Sequence, residues 1–208
     1  MTRSQRRGWP IITIWLCMGF FAIQASSEAL SYIFGEIEAF DAIFREKYQA
    51  NLTLVRTHGV SAVTALYLGL LSFLPQTRRS ALHAWMGRVY AFAVVVAGLT
   101  SLPMALMAQG GPSSMLAFFF QGSLWLVTIA LAVSAARRKD FAFHRRAMIR
   151  NYALTYSAVV SRLLLNGLQE GGLLFTEIYP LVSWTWVMGL AAGEWWIHNS
   201  HQRPRGPQ

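Results

Sequence analysis

The stretch Ala81-Leu82-His83-Ala84-Trp85-Met86-Gly87-Arg88-Val89-Tyr90 decides how the chain is read, because it sets a histidine, a tryptophan, a glycine and an arginine at the mouth of a long apolar run. Arg78 and Arg79 stand just before it, and residues 91–102 after it are mostly apolar. A helix crosses the hydrocarbon core of a bilayer with about 20 mostly apolar residues, and residues 83–107 supply them. That crossing needs no polar side chain. His83 and Arg88 therefore have to be explained either by orientation in the membrane or by chemistry.

The same pattern recurs outward in both directions. The tight turn Gln109-Gly110-Gly111-Pro112 leads to a second apolar run over 114–135, and the basic loop Arg137-Arg138-Lys139 leads to a third over 146–168. Gly171-Gly172 turns the chain into a run over 173–197. Toward the N-terminus, residues 55–74 form a span stopped by Pro75, with His58, Ala62, Ala65, Gly69 and Ser72 on one face. Small residues on one stripe let helix backbones approach closely. Residues 35–54 form an outer loop in which Ile37, Phe40, Ile43 and Phe44 recur at helical spacing, which predicts a short amphipathic interfacial helix. The first apolar run covers 9–25, with a continuation toward Phe34, and follows a basic segment 1–8 carrying Arg3, Arg6 and Arg7. Its basic start and small residues Ala25-Ser26-Ser27 look like a signal peptide, but they match the favoured A-x-A site poorly. An uncleaved first helix is the expectation. Residues 199–208 have two prolines and no apolar run, and read as a disordered tail. The expected fold is all-α: an integral membrane bundle of six transmembrane helices within 9–198, with no second soluble domain.

Composition agrees. The chain is 54% hydrophobic and 13% charged, where soluble domains carry about 25% charged residues. The net charge of +9 would point to nucleic acid in a soluble protein. Here it points to anionic lipid and to loop orientation instead. Fourteen of the eighteen Lys and Arg lie in the N-terminus, in the two basic loops with the span starts after them, or in the tail. Seven of the nine acids (Glu28, Glu36, Glu38, Asp41, Glu46, Glu170 and Glu177) fall on the opposite side. With six spans both termini are then cytoplasmic. Trp9, Trp195 and Trp196 fall at the expected interfaces. The partners implied are membrane lipids, a quinone or another membrane protein, and not nucleic acid. The single cysteine, Cys17, allows no disulfide or cysteine cluster within one chain and reads as a packing residue.

Arg162 is the most costly residue. It lies sixteen residues beyond Arg146, about 24 Å further along a helix. An unpaired guanidinium in a membrane costs at least ~2.5 kcal/mol. His144, Asn151, Thr155, Arg162 and Asn166 share its helical face, which should turn into the bundle. Arg162 is read either as a donor to an anion or quinone oxygen, or as a structural arginine bonded to backbone carbonyls or reaching out to Glu170 or Glu177. His58 counts to a similar depth and is a candidate to line one outer-side pocket with Arg162. The plainer alternative is a headgroup-level histidine making a hydrogen bond.

His83 and His144 sit at the cytoplasmic starts of two spans. Two neutral imidazoles from facing helices can hold a b-type haem iron axially, so both are candidate metal ligands. Arg79, Arg88, Arg145, Arg146 and Arg150 are available for haem propionates, and Trp85, Tyr90, Tyr152 and Tyr156 for the porphyrin face. The alternative makes both histidines interfacial residues among basic lipid anchors. Glu194, an acid at a cytoplasmic helix end, is expected to pair with Arg88 or Arg150. Phosphate-loop, G-x-S-x-G, H-E-x-x-H and dinucleotide signatures are absent, and no acidic dyad falls within the spans.

Two segments, Leu82-His83-Ala84-Trp85-Met86-Gly87-Arg88-Val89-Tyr90 and His144-Arg145-Arg146-Ala147-Met148-Ile149-Arg150-Asn151-Tyr152-Ala153-Leu154-Thr155, resemble a bacterial predicted-membrane-protein family of unknown function over roughly residues 50–197. Ala147 stands where that family often has tryptophan, and His58-Gly59 matches an earlier histidine-glycine. The resemblance implies membrane residence and no activity. The leucine-histidine-x-tryptophan segment is also similar to di-haem ascorbate-reducible cytochrome b proteins, which pair histidines on four consecutive helices. Residues 114–135 hold no histidine, so that similarity implies one haem at most, on His83 and His144.

The functional expectation is a small membrane redox or cofactor-binding protein. It would hold one b-type haem, or a quinone, with His83, His144, Arg88 and Arg150 inside and His58 with Arg162 outside. The other class is a non-enzymatic solute- or lipid-binding transporter-like protein, or a partner subunit, with the polar stripe lining a solute path. No reaction or substrate follows from the sequence.

Overall fold

The structure, a computed structural model, describes residues 3–35, 42–74 and 81–201, without the side chains of 3–12, 28 and 201. The acids Glu36, Glu38 and Asp41, the apolar Ile37 and Phe40, the arginines Arg78 and Arg79, and residues 202–208 lie outside that description. All elements among the described residues are helices: α1 (Arg3–Phe34), α2 (Ala42–Ala50), α3 (Leu52–Ser72), α4 (Ala81–Leu106), α5 (Gly111–Arg137), α6 (Phe141–Glu170), α7 (Phe175–Val182) and α8 (Thr185–His201). Three of them, α3, α4 and α5, are long and apolar enough to cross a membrane.

The turns explain why consecutive helices lie side by side. Gly110 and Gly111 have φ of 82° and 73°, a left-handed conformation in which a Cβ is strained, and Pro112 then starts α5. Between α5 and α6 the chain reverses in three residues. The amide of Lys139 donates to Ala136 and that of Asp140 to Ala135, both at 3.0 Å, with Lys139 left-handed at φ 61°. These are the closing bonds of a Schellman helix end. The Asp140 side chain then accepts from the Phe143 amide at 2.9 Å and caps α6. The Gly172 turn ends α6 in the same way, with Leu173 N–H donating to the Leu168 carbonyl at 3.1 Å.

The antiparallel chain α3-α4-α5-α6 closes into a four-helix bundle, because α3 also packs on α6. The remaining long helix α1 lies against α3 and α6, and α8 lies against α6. The small-residue stripe of α3 is the seam. Ala65, Gly69 and Ser72 are buried, and a Cβ on Gly69 would fall 2.4 Å from the Tyr152 ring and 2.8 Å from the Tyr90 ring. Such contacts drive association where helices are solvated by apolar lipid tails. Large apolar residues such as Phe92, Leu99, Leu116 and Leu131 remain exposed on the outside of the bundle. Cys17 is likewise exposed, not packed as expected.

Two boundaries differ from the sequence reading. The run 173–197 is two helices, α7 and α8. Pro180 has no N–H to donate back along α7, and Ser183 and Trp184 form a turn in which the Ser183 hydroxyl bonds the Pro180 carbonyl at 2.8 Å. At the C-terminus, α8 runs through His201 where a tail was expected from residue 199. The expected interfacial segment does contain a helix, α2. It lies across the end of the bundle opposite the α5–α6 turn, with Lys47 Nζ donating to the Met107 carbonyl at 3.3 Å and Gln109 Nε2 to the Ile43 carbonyl at 2.8 Å. Phe44 packs against Phe175 and Tyr179 of α7 with ring centroids 5.7 and 6.1 Å away.

Candidate functional site

The polar stripe of α6 has different tasks at different heights. Its centre is closed. The Asn151 Oδ1 accepts from the Tyr90 hydroxyl at 2.5 Å, and its Nδ2 donates to the Trp125 carbonyl and to Thr128 Oγ1, both at 2.8 Å. The Thr155 hydroxyl accepts from Trp125 Nε1 at 2.9 Å and donates to the Asn151 carbonyl at 3.0 Å. Asn151 is 0% exposed and Tyr90 1%, so each of these polar groups would be costly without its partner. The arrangement ties α4, α5 and α6 together across the bundle interior. A turn further on, Gln121 Nε2 donates to the Leu154 carbonyl and to Ser157 Oγ.

Trp125, Thr128 and Gln121 were not singled out from the sequence. They had a signal nonetheless. Ala117, Gln121, Trp125, Thr128, Ala132 and Ala135 recur in steps of four and three, the spacing of one buried helical stripe.

Below the clamp, toward the α5–α6 turn, lie the two histidines. In the α5–α6 pair, Gln121 meets Ser157, Thr128 meets Asn151 and Ala132 meets His144, so these helices are antiparallel. Gly98 lies against Leu126 and Gly122 against Ser101, so α4 and α5 are antiparallel too, and α4 runs parallel to α6. His83 precedes Tyr90 by seven residues and His144 precedes Asn151 by seven. Seven residues are two turns, about 10.5 Å, on the same helical face. The two imidazoles therefore start from one level on parallel helices whose side chains meet across the bundle. Both are half-buried. The Nδ1 of His144 is 2.9 Å from the Ala132 carbonyl of α5. A carbonyl only accepts, so Nδ1 carries the proton and, in the neutral ring, Nε2 carries the lone pair.

The candidate propionate cations divide. Arg150 donates through Nε and Nη2 to both carboxylate oxygens of Glu194, the latter at 2.9 Å, which is the pairing expected for Glu194 with one of its two sequence candidates. Arg88 and Arg145 are exposed, and Arg146 is half-buried over the Phe143 ring at 5.7 Å. Of the candidate aromatics, Tyr90 belongs to the clamp. The Tyr152 hydroxyl bonds the Leu66 carbonyl at 3.1 Å, Tyr156 that of Met18 at 3.0 Å, and Trp85 is exposed.

At the other end, His58 turns toward α4. Its Nδ1 is 2.9 Å from the Ala97 carbonyl and 3.3 Å from Thr100 Oγ1, the hydrogen-bonding role of its plainer alternative. Arg162 turns toward α1 and donates through Nη1 to the Ala25 carbonyl at 3.0 Å. It lines a cavity of about 300 Å³ with Gln24, Ser27, Asn166, Gly167 and Glu170. His58 is not among the lining residues. The two side chains thus engage different neighbours, and the cavity belongs to α1 and α6. No group of three or more histidine, cysteine or acidic side chains suited to a metal ion occurs among the described residues.

Residues 55–197 match the family described as predicted membrane protein (DUF2306), and the chain belongs to it. No curated protein and no solved structure matches the chain. The similarity to di-haem cytochromes expected from the leucine-histidine-x-tryptophan segment is therefore not shown.

Proposed function

We propose, proceeding from membership in this family of membrane proteins, that the chain is a six-crossing bundle with both termini in the cytoplasm, holding one b-type haem between α4 and α6 for electron transfer in a bacterial cytoplasmic membrane. The crossings are α1, α3, α4, α5, α6 and the α7–α8 pair. The observation that carries the haem reading is the matched level of His83 and His144 on parallel helices, with His144 Nδ1 held by the Ala132 carbonyl. A haem-ligating histidine needs that arrangement, because a partner on one ring nitrogen fixes the tautomer and aims the other nitrogen at the iron. Room adjoins the site as well. A Cβ built on Gly87, one turn past His83, meets nothing within 4 Å.

In this reading His83 and His144 would hold the haem iron, while Arg88, Arg145 and Arg146 would offer charge at the same end for the propionates. Arg150 acts through its pairing with Glu194 and braces α6 against α8. Bound haem would supply a one-electron couple. The tyrosine–asparagine clamp two turns above closes the site from the rest of the bundle.

The test is the optical spectrum of the full chain purified after expression with ample haem. The expected result is a Soret band that His83→Ala and His144→Ala each abolish and His58→Ala leaves in place. A colourless protein, or a spectrum indifferent to both substitutions, would sink the haem reading. Topology is tested separately in a Cys17→Ala background. An impermeant maleimide added to intact cells should label Gly172→Cys and spare Lys139→Cys, and the reverse pattern would invert the orientation.

A further inference from the structure

We propose that the cavity between α1 and α6 is a headgroup site for a zwitterionic aminophospholipid, with the lipid phosphate on Arg162 and its ammonium on Glu170. The volume, about 300 Å³, lies at the small end of ligand pockets and suits a headgroup, not a whole lipid. One wall holds a cation placed by the fold, since Nη1 of Arg162 is anchored on the Ala25 carbonyl of α1. A guanidinium presents several N–H donors in a planar fork that matches phosphate oxygens. Glu170, the last residue of α6, is exposed and borders the same cavity. It lies eight residues beyond Arg162, about 12 Å along the axis, so positive and negative groups face one space at two heights.

That polarity selects the ligand. A simple anion is attracted by Arg162 and repelled by Glu170, whereas a headgroup with an inner phosphate and an outer ammonium satisfies both. Gln24, Ser27 and Asn166 add neutral polar groups to the wall. The acyl chains have a surface to follow. Val160, Leu164 and Leu168, on the adjoining face of α6, are exposed, as is Ile23 on α1 beside Gln24. The site lies at the opposite end of α6 from His144 and does not depend on haem.

The experiment uses the delipidated full chain in detergent. Native mass spectrometry and thermal stability are followed with dioleoylphosphatidylethanolamine, dioleoylphosphatidylglycerol, dioleoylglycerol and inorganic phosphate. The ethanolamine lipid is expected to bind about tenfold more tightly than the glycerol lipid and to exceed dioleoylglycerol by more, while inorganic phosphate has no effect. Glu170→Gln, at an exposed position, should erase the preference for ethanolamine over glycerol without lowering stability. Arg162→Gln should lose both phospholipids. Should Arg162→Gln fail to fold, Glu170→Gln decides by itself. Equal binding of phosphatidylethanolamine and dioleoylglycerol, an unchanged preference in Glu170→Gln, or inorganic phosphate acting as strongly as lipid would each overturn the proposal.

Discussion

The centre and the α2 end of α6 carry similar residue types and put them to opposite uses. At Asn151 and Thr155 every polar atom named above meets another protein atom, and the side chains are buried. At Arg162 and Asn166 the polar side chains line a cavity. Amphipathic spacing is the same in both places, so spacing does not separate a structural clamp from a cavity wall. The separation comes from what lies opposite. Tyr90 and Trp125 fill the space facing Asn151, whereas among the described residues α1 lines the cavity beside Arg162 with Gln24, Ala25 and Ser27.

The largest effect is expected from breaking the clamp. Asn151→Leu removes the acceptor for Tyr90 and the donor for the Trp125 carbonyl and Thr128. Buried groups left without partners cost about 1–3 kcal/mol each, though interhelical bonds in membranes average about 0.6 kcal/mol. A total loss of about 2–4 kcal/mol is expected in equilibrium unfolding in bicelles, and a loss below about 0.5 kcal/mol would show that the clamp is incidental. Next comes Gly69→Ala. The added methyl would meet the Tyr152 ring at 2.4 Å, and overpacking of this kind costs about 1–3 kcal/mol. The same measurement checks it, and unchanged stability would mean that the α3 seam can open.

The smallest effect is a pH dependence at the α2 end. Burial pushes the Tyr48 hydroxyl up from 10.0 to about 12, against the opposing charge of Arg162. The folded protein therefore favours neutral Tyr48. That contribution is intact below pH 10.0 and is lost as pH rises through about 12. Hydrogen exchange in α2 should quicken across that interval in the native chain and less so in Tyr48→Phe. Equal behaviour of the two would show that Tyr48 does not hold α2 down.

Much of this was legible in the residues. The glycine turns and the small-residue stripe of α3 are local features, and local chemistry fixes them. The helix boundaries followed within a few residues, except where Pro180 and Ser183 split the last run. The inward face of α6 was legible too, because polar residues in an apolar protein have one sensible direction. The partners were not. Nothing in the spacing of Arg162 indicates that it bonds the carbonyl of Ala25, 137 residues away, and nothing in His58 indicates Ala97 and Thr100.

The sequence by itself determined that this chain is an all-helical membrane protein. Hydropathy, capping and charge act through neighbours along the chain or through the bilayer, and both can be counted from residues. Only the tertiary structure decided that Asn151 is a clamp, that the cavity beside Arg162 belongs to α1 and α6, and that His83 and His144 share a level on parallel helices. Those facts depend on register between helices, which is set by side chains meeting across distances that the sequence does not encode as spacing.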